Sequence, residues 1–133
     1  MGTRSLTHFK SAGKDSPTLC TLYCQFDGYP SGVGEDIKRV LGAKKLVSGY
    51  SDPDNEVNGM GCAAAIFIAG VKTGCGNWYV QQPDAKDLWE DYTYTVFADN
   101  GAIHLLCQDS DRDIYDGPLS KFDGKTVEAS EAA

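Results

Sequence analysis

Alternating apolar and polar positions organise the start of the chain. Residues 4–9 and 18–26 read as strands joined by the turn-rich stretch 11–16, the pattern of a hairpin. In the second strand Cys20, Leu22, Cys24 and Phe26 share one face, while Leu19, Thr21, Tyr23 and Gln25 share the other. The first set is the more apolar and is expected to face the core. The period then changes. Residues 34–41 predict a short helix, with Glu35 and Asp36 in its first turn and Lys38 and Arg39 later, as the helix dipole favours. Gly42 ends it. After a polar loop at 51–56, residues 57–73 predict a second helix, apolar almost all round and rich in Gly and Ala, suited to burial close against a sheet. Gly74 to Gly76 break it. Residues 77–82 predict a strand, and 91–98 with 102–107 predict the clearest hairpin, because Asp99-Asn100-Gly101 supplies residues that accept positive φ. Residues 109–113 read as an acidic loop, 114–122 as holding a last short strand, and 124–133 as a disordered tail. The order is β-β-α-α-β-β-β. It implies an α+β fold, a mostly antiparallel sheet with two helices packed on one face, and a single domain over 1–123.

Composition narrows the function classes. A chain of 133 residues, 41% hydrophobic and 23% charged, is large enough for one domain with its own core. A formal net charge of -7 argues against sequence-independent binding of long nucleic acid, which needs clustered cations. Lys38, Arg39, Lys44 and Lys45 are the only local basic group. Five cysteines, an odd count without a CxxC pair, and an opening Met1-Gly2-Thr3-Arg4 that does not read as a leader suggest reduced thiols and a cytoplasmic setting. The longest apolar run, 62–71, contains Gly70 and is too short to span a bilayer, so no membrane role is expected.

Candidate chemistry concentrates at two places. The strand ending at Phe26 runs into Asp27-Gly28-Tyr29-Pro30-Ser31-Gly32-Val33-Gly34, a corner of specified shape. Either Asp27, Tyr29 and the glycine amides form a rim for a polar or phosphorylated ligand, or the same residues only close a tight connection, with Asp27 bonded to turn amides. Turn chemistry accounts for Gly and Pro but not for Tyr29. The second place is Asn58-Gly59-Met60-Gly61-Cys62, opening the apolar helix. A glycine-rich helix start offers free amides and a positive dipole end to an anion; it also activates a thiol, making Cys62 a candidate nucleophile with His8 or His104 as base. Its competing explanation is a buried helix whose glycines permit close approach to the sheet. The segment lacks the Lys-Ser/Thr of a P-loop.

Weaker signals complete the inventory. Asp109, Asp111 and Asp113 alternate like the start of a calcium loop, but Ile114 stands where that loop needs Gly and Ser120 where it needs Glu. The cysteines are too scattered for zinc, so neither a metal nor a cofactor is expected. Trp78, Tyr79, Trp89, Tyr92, Tyr94 and Phe97 are either core and interface residues or a platform for a base.

On Arg4-Ser5-Leu6-Thr7, Gln25-Phe26-Asp27-Gly28-Tyr29-Pro30 with Gly32 and Gly34, Asn58-Gly59-Met60-Gly61-Cys62-Ala63-Ala64 and Glu90-Asp91-Tyr92-Thr93-Tyr94-Thr95-Val96, the chain resembles a family of small bacteriophage, prophage and bacterial proteins. In size and class it is similar to phage anti-defence sponges, compact α+β oligomers that sequester nucleotide immune signals. The resemblance implies a homo-oligomer in the host cytoplasm that captures a small anionic, nucleotide-derived ligand without turnover. The residues expected to bind it are Gln25, Asp27, Tyr29, Gly32, Gly34, Asn58, Gly59 and Gly61. Two alternatives stand beside it: an acidic module that inhibits a host protein, and a small hydrolase dependent on Cys62.

Overall fold

The computed structural model describes residues 2–132. Strands β1 (Ser5–Lys10) and β2 (Thr18–Cys24) form the first hairpin, and a π-helical turn at Pro30–Gly34 leads straight into α1 (Glu35–Leu41). There follow β3 (Lys45–Val47), β4 (Glu56–Asn58), α2 (Gly59–Val71), β5 (Trp78–Gln81), β6 (Tyr92–Asp99), β7 (Ala102–Asp109) and β8 (Arg112–Pro118). A 3-10 turn at Leu119–Lys121 precedes α3 (Gly124–Ala132). The fold is α+β, as the pattern predicts. Six strands make one sheet in the order β5-β2-β1-β6-β7-β8, with every neighbour antiparallel except β1 with β6. Strands β3 and β4 form a separate parallel pair.

Strand alternation divides the sheet into two faces. Phe9, Leu22, Cys24, Tyr94, Val96, Leu105 and Cys107 point to the helix side, where they join Val33, Ile37, Leu41, Met60, Ala63, Phe67, Phe122 and Val127 in one core. Helix α2 contributes Met60, Ala63, Ala64 and Phe67, the spacing of one helical stripe. Phe67 sits 5.7 Å from Phe9 and meets Trp78 edge-on at 5.4 Å. Strands β5 and β6 are parallel but separated by β2 and β1, so the connection 82–91 crosses the opposite face. Thr21 Oγ1 donates to the Pro83 carbonyl at 2.8 Å and Asp91 N to the Arg4 carbonyl at 2.9 Å, pinning that crossing. The Asn100-Gly101 turn of the β6–β7 hairpin has φ of 52° and 74°, the positive values its sequence predicts.

The structure departs from the pattern in four places. Of the tail 124–133, expected to be disordered, residues 124–132 form helix α3 on the same side as α1 and α2, and Ala133 lies outside the described residues. Its composition is polar, but Val127 is buried, Asp123 Oδ1 accepts from Lys125 N and Thr126 N as a cap, and Glu128 reaches Ser31 across the molecule. Three helices therefore pack where two were expected. The acidic stretch 109–113 is a tight β7–β8 hairpin rather than a loop, turning at Ser110 with φ 53°, and Arg112 pairs with Asp109 at 3.5 Å. Phe26 lies beyond the end of β2 and is half exposed, because alternation stops where the strand does. Finally, β3 and β4, three residues each, are too short for a period to register.

Candidate functional site

The corner after β2 is a densely bonded joint. Asp27 adopts a left-handed φ of 59°. Around it Gly28 N donates to the Thr3 carbonyl at 2.9 Å, Gly32 N to Tyr29 at 2.8 Å and Val33 N to Asp27 at 2.9 Å. Ser31 donates both its amide and its hydroxyl to Glu128 Oε1 at 2.8 Å. The buried Tyr94 hydroxyl donates to the Gly28 carbonyl at 2.7 Å. A methyl on Gly32 would strike the Asp27 carbonyl, and one on Gly34 would lie 2.7 Å from the Phe122 ring. These glycines are present because backbone and rings approach where no side chain fits. Tyr29, the residue turn geometry did not explain, donates its hydroxyl to Asp27 Oδ1 at 3.2 Å, and that bond raises its pKa. The amides of Gln25, Gly28, Ser31, Gly32 and Val33 are thus spent within the fold, so most of the backbone donors of the rim expected over Gln25, Asp27, Tyr29, Gly32 and Gly34 serve the joint itself.

The mouth of α2 is built the other way. Asn58 stands at the N-cap position, yet its side chain makes no capping bond; Oδ1 instead accepts from Gly49 N at 2.8 Å. An α-helix leaves its first four amides without internal partners, and here the customary side-chain cap is diverted elsewhere. Gly59, at φ 83°, makes the bend into the helix, and neither Gly59 nor Gly61 has any atom within 4 Å of where a Cβ would lie. The approach is open.

Beside this mouth runs a groove of 420 Å³ lined by Tyr50, Pro53, Glu56, Asn58, Cys62 and Ile66. Its volume falls within the range of about 300–1,000 Å³ typical of small-molecule sites. Asn58, Cys62 and Ile66 stand four residues apart and line up along one side of α2. The facing wall is the loop before β4. Glu56 Oε1 accepts from both Ser51 N and Asp52 N at 2.9 Å, and Lys44 Nζ donates to the Asp54 carbonyl. Tyr50 is 65% exposed, so its ring is not committed to the core. Sequence reasoning missed Tyr50, Pro53 and Glu56 as site residues. The one available signal was an aromatic in a turn-rich stretch that no strand or helix pattern claimed.

The two predicted halves of the site do not meet. Gln25 N and Phe26 N both bond to Asn77, which follows the C-terminal end of α2. The 13 residues of α2 put its N-terminus about 20 Å from that end. Of the predicted residues Asn58 lines the groove with Cys62, and Gly59 and Gly61 lie between those two in the first turn of α2 without lining it; Gln25, Asp27, Tyr29, Gly32 and Gly34 do not belong to it.

The proposed bases for Cys62 are also elsewhere. His8 and His104 project from the sheet face opposite the helices, His8 bonded to Thr21 Oγ1 at 2.7 Å and His104 beside Asp99 at 3.8 Å. Burial, then Lys10, lowers the His8 pKa. Cys24 and Cys107 lie in the core, where burial pushes their pKa values up to about 11 and about 12, far from thiolate chemistry. Among the described residues, no group of three side chains is placed to hold a metal, and no helix is long and apolar enough to cross a membrane. Of the aromatic set, Trp78, Tyr94 and Phe97 are core, whereas Tyr79 and Trp89 are exposed. No family model, curated protein or solved structure matches the chain.

Proposed function

We propose that the protein is a binding protein that captures a small, anionic, nucleotide-like ligand at the mouth of α2 and sequesters it without chemistry. The observation that carries this reading is the diverted cap: Asn58 spends its oxygen on Gly49, leaving the first turn of α2 open beside a groove. A phosphate takes the helix amides and the positive dipole end. A planar base lies on the exposed Tyr50 ring, as bases do on aromatic platforms. Glu56 accepts from an exocyclic amine, which favours a ligand carrying both an anion and a donor. The location of both histidines away from Cys62 supports capture over hydrolysis.

Gly61→Asp tests the assignment sharply. The new carboxylate enters open space in the first helical turn, where it suits the dipole and replaces a flexible residue, so stability should hold or rise. The same charge repels an incoming phosphate. Thermal shift and calorimetry against a panel of cyclic and linear nucleotides should show a ligand-dependent rise in Tm for the wild type. In the variant, affinity should fall at least about tenfold, the equivalent of 1.4 kcal/mol. Recovery of the bound compound unchanged, by mass spectrometry, supports sequestration; a converted product would replace it with an enzyme. Equal affinity in folded Gly61→Asp protein removes the α2 mouth as the site.

A further inference from the structure

The two edges of the main sheet are treated differently by the sequence. Edge strand β8 carries Arg112, Asp113, Asp116, Gly117 and Pro118, the residues that discourage another strand from pairing. Edge strand β5 reads Trp78-Tyr79-Val80-Gln81 and lies in an uncharged stretch from Thr73 to Pro83. In a chain of net charge -7, this unprotected edge is the exception.

Backbone geometry shows what the edge offers. Asn77 O accepts from Gln25 N, so residues 77, 79 and 81 turn their polar groups toward the β2 side, and 78 and 80 turn theirs outward. Lys72 Nζ already covers the carbonyls of Gly76 and Trp78, at 2.8 and 2.9 Å. Val80 is left, with an outward N–H and C=O and a side chain 67% exposed. On the helix side Val80 borders an apolar groove of 290 Å³ with Ile68, Val71 and Trp78. On the other side Tyr79 is 45% exposed, and Trp89, 83% exposed, flanks Gln81 and Tyr23 across a second groove that Leu88 and one carboxylate, Asp87, also line. Apolar surface therefore continues around the edge from one face of the sheet to the other, more than a single short strand would bury.

We infer that β5 pairs antiparallel with β5 of a second copy about a twofold axis at Val80, joining the two six-stranded sheets edge to edge. Charge selects the occupant. A basic partner would be drawn to the acidic surface elsewhere, whereas a copy carrying the same net charge meets this one best at an edge strand that bears no acidic residue and has Lys72 beside it. Twofold symmetry supplies the rest, because a self-complementary patch serves both sides. Val80 of each copy exchanges two backbone hydrogen bonds with Val80 of the other, and each side chain covers the partner's groove. Tyr79 falls opposite Gln81 on the far face.

The experiment is light scattering coupled to size exclusion on the full chain, with two variants. Wild-type protein should run at twice the monomer mass. Val80→Lys places two ammonium groups opposite each other at an exposed position, so the fold survives, as circular dichroism will verify, and the mass should halve. In a Cys75→Ser background, Val80→Cys should oxidise to a covalent dimer, since a hydrogen-bonded antiparallel pair holds its Cα atoms about 5.5 Å apart, within disulfide reach. Asp116→Cys on the β8 edge, in the same background, should not. A monomeric wild type, an oligomer that survives Val80→Lys, or cross-linking at Asp116→Cys in place of Val80→Cys would each overturn the inference.

Discussion

Replacing Tyr94 with Phe isolates what holds the corner after β2. Tyr94 and Gly28 are both buried, and the Tyr94 hydroxyl is 2.7 Å from the Gly28 carbonyl. Phe keeps the ring and its contacts with the core, so almost no packing is lost. What disappears is the donor to a carbonyl that water does not reach. The space vacated by one oxygen is too small for a water to take its place. Leaving such a group unsatisfied costs about 1–3 kcal/mol. Against a typical total of about 5–15 kcal/mol that is a large fraction. Urea unfolding, followed by fluorescence of the buried Trp78, should show a midpoint lower by about 1 M with an unchanged slope, given slopes of roughly 1–3 kcal/mol/M. Nucleotide affinity should not move, because no residue of the corner lines the groove at the mouth of α2. An unchanged midpoint would refute the reasoning about the buried bond. A large loss of affinity in the folded variant would return the ligand site to the corner.

Further outcomes follow from the same contacts. Glu128→Ala removes two bonds to Ser31 and should lower stability by about 1–2 kcal/mol in urea titration, since hydrogen bonds to a charged group contribute more than neutral ones; Glu128→Gln should recover part of it, and no change in either would detach α3 from the corner. Burial lowers the His8 pKa below 6.5, so the folded state binds its proton less readily than the unfolded state. The stability tied to neutral His8 is full above 6.5 and is lost as pH falls from there through the folded value; His8→Gln should flatten that part of the pH–stability curve, and an NMR titration midpoint above 6.5 would contradict it. Iodoacetamide at neutral pH should label the exposed Cys75 first and the buried Cys24 and Cys107 last. Faster labelling of Cys62 than of Cys75 would revive the thiol-enzyme alternative.

Elements with a repeating signal were legible before any coordinates. Alternation in β1, β2 and β6, the Asn-Gly turn and the small apolar residues of α2 each specify a local geometry that the rest of the chain does not override. So was the importance of the glycines near residue 30, although not their purpose. Gly34 could equally have freed an amide or admitted a ring, and only the distant Phe122 decides for the ring. Tyr94, Glu128 and Thr3, remote in sequence, consume the corner's polar groups, and no local pattern announces such partners.

The α2 mouth shows the converse. Asn58-Gly59-Met60-Gly61 marks a helix start from sequence alone, because the residue types dictate the bend. That Asn58 turns away to Gly49 and leaves the turn uncapped depends on where the β3–β4 pair holds the preceding loop. Helix α3 was hidden because its stability rests on one buried valine and on contacts to residues far away in the chain, while its own composition reads as solvent-loving. Local chemistry set the menu of turns, strands and helices, since those depend on neighbours in sequence. Tertiary structure decided which polar groups remained unpaired, because a hydrogen bond is won or lost by whichever partner packing brings within reach.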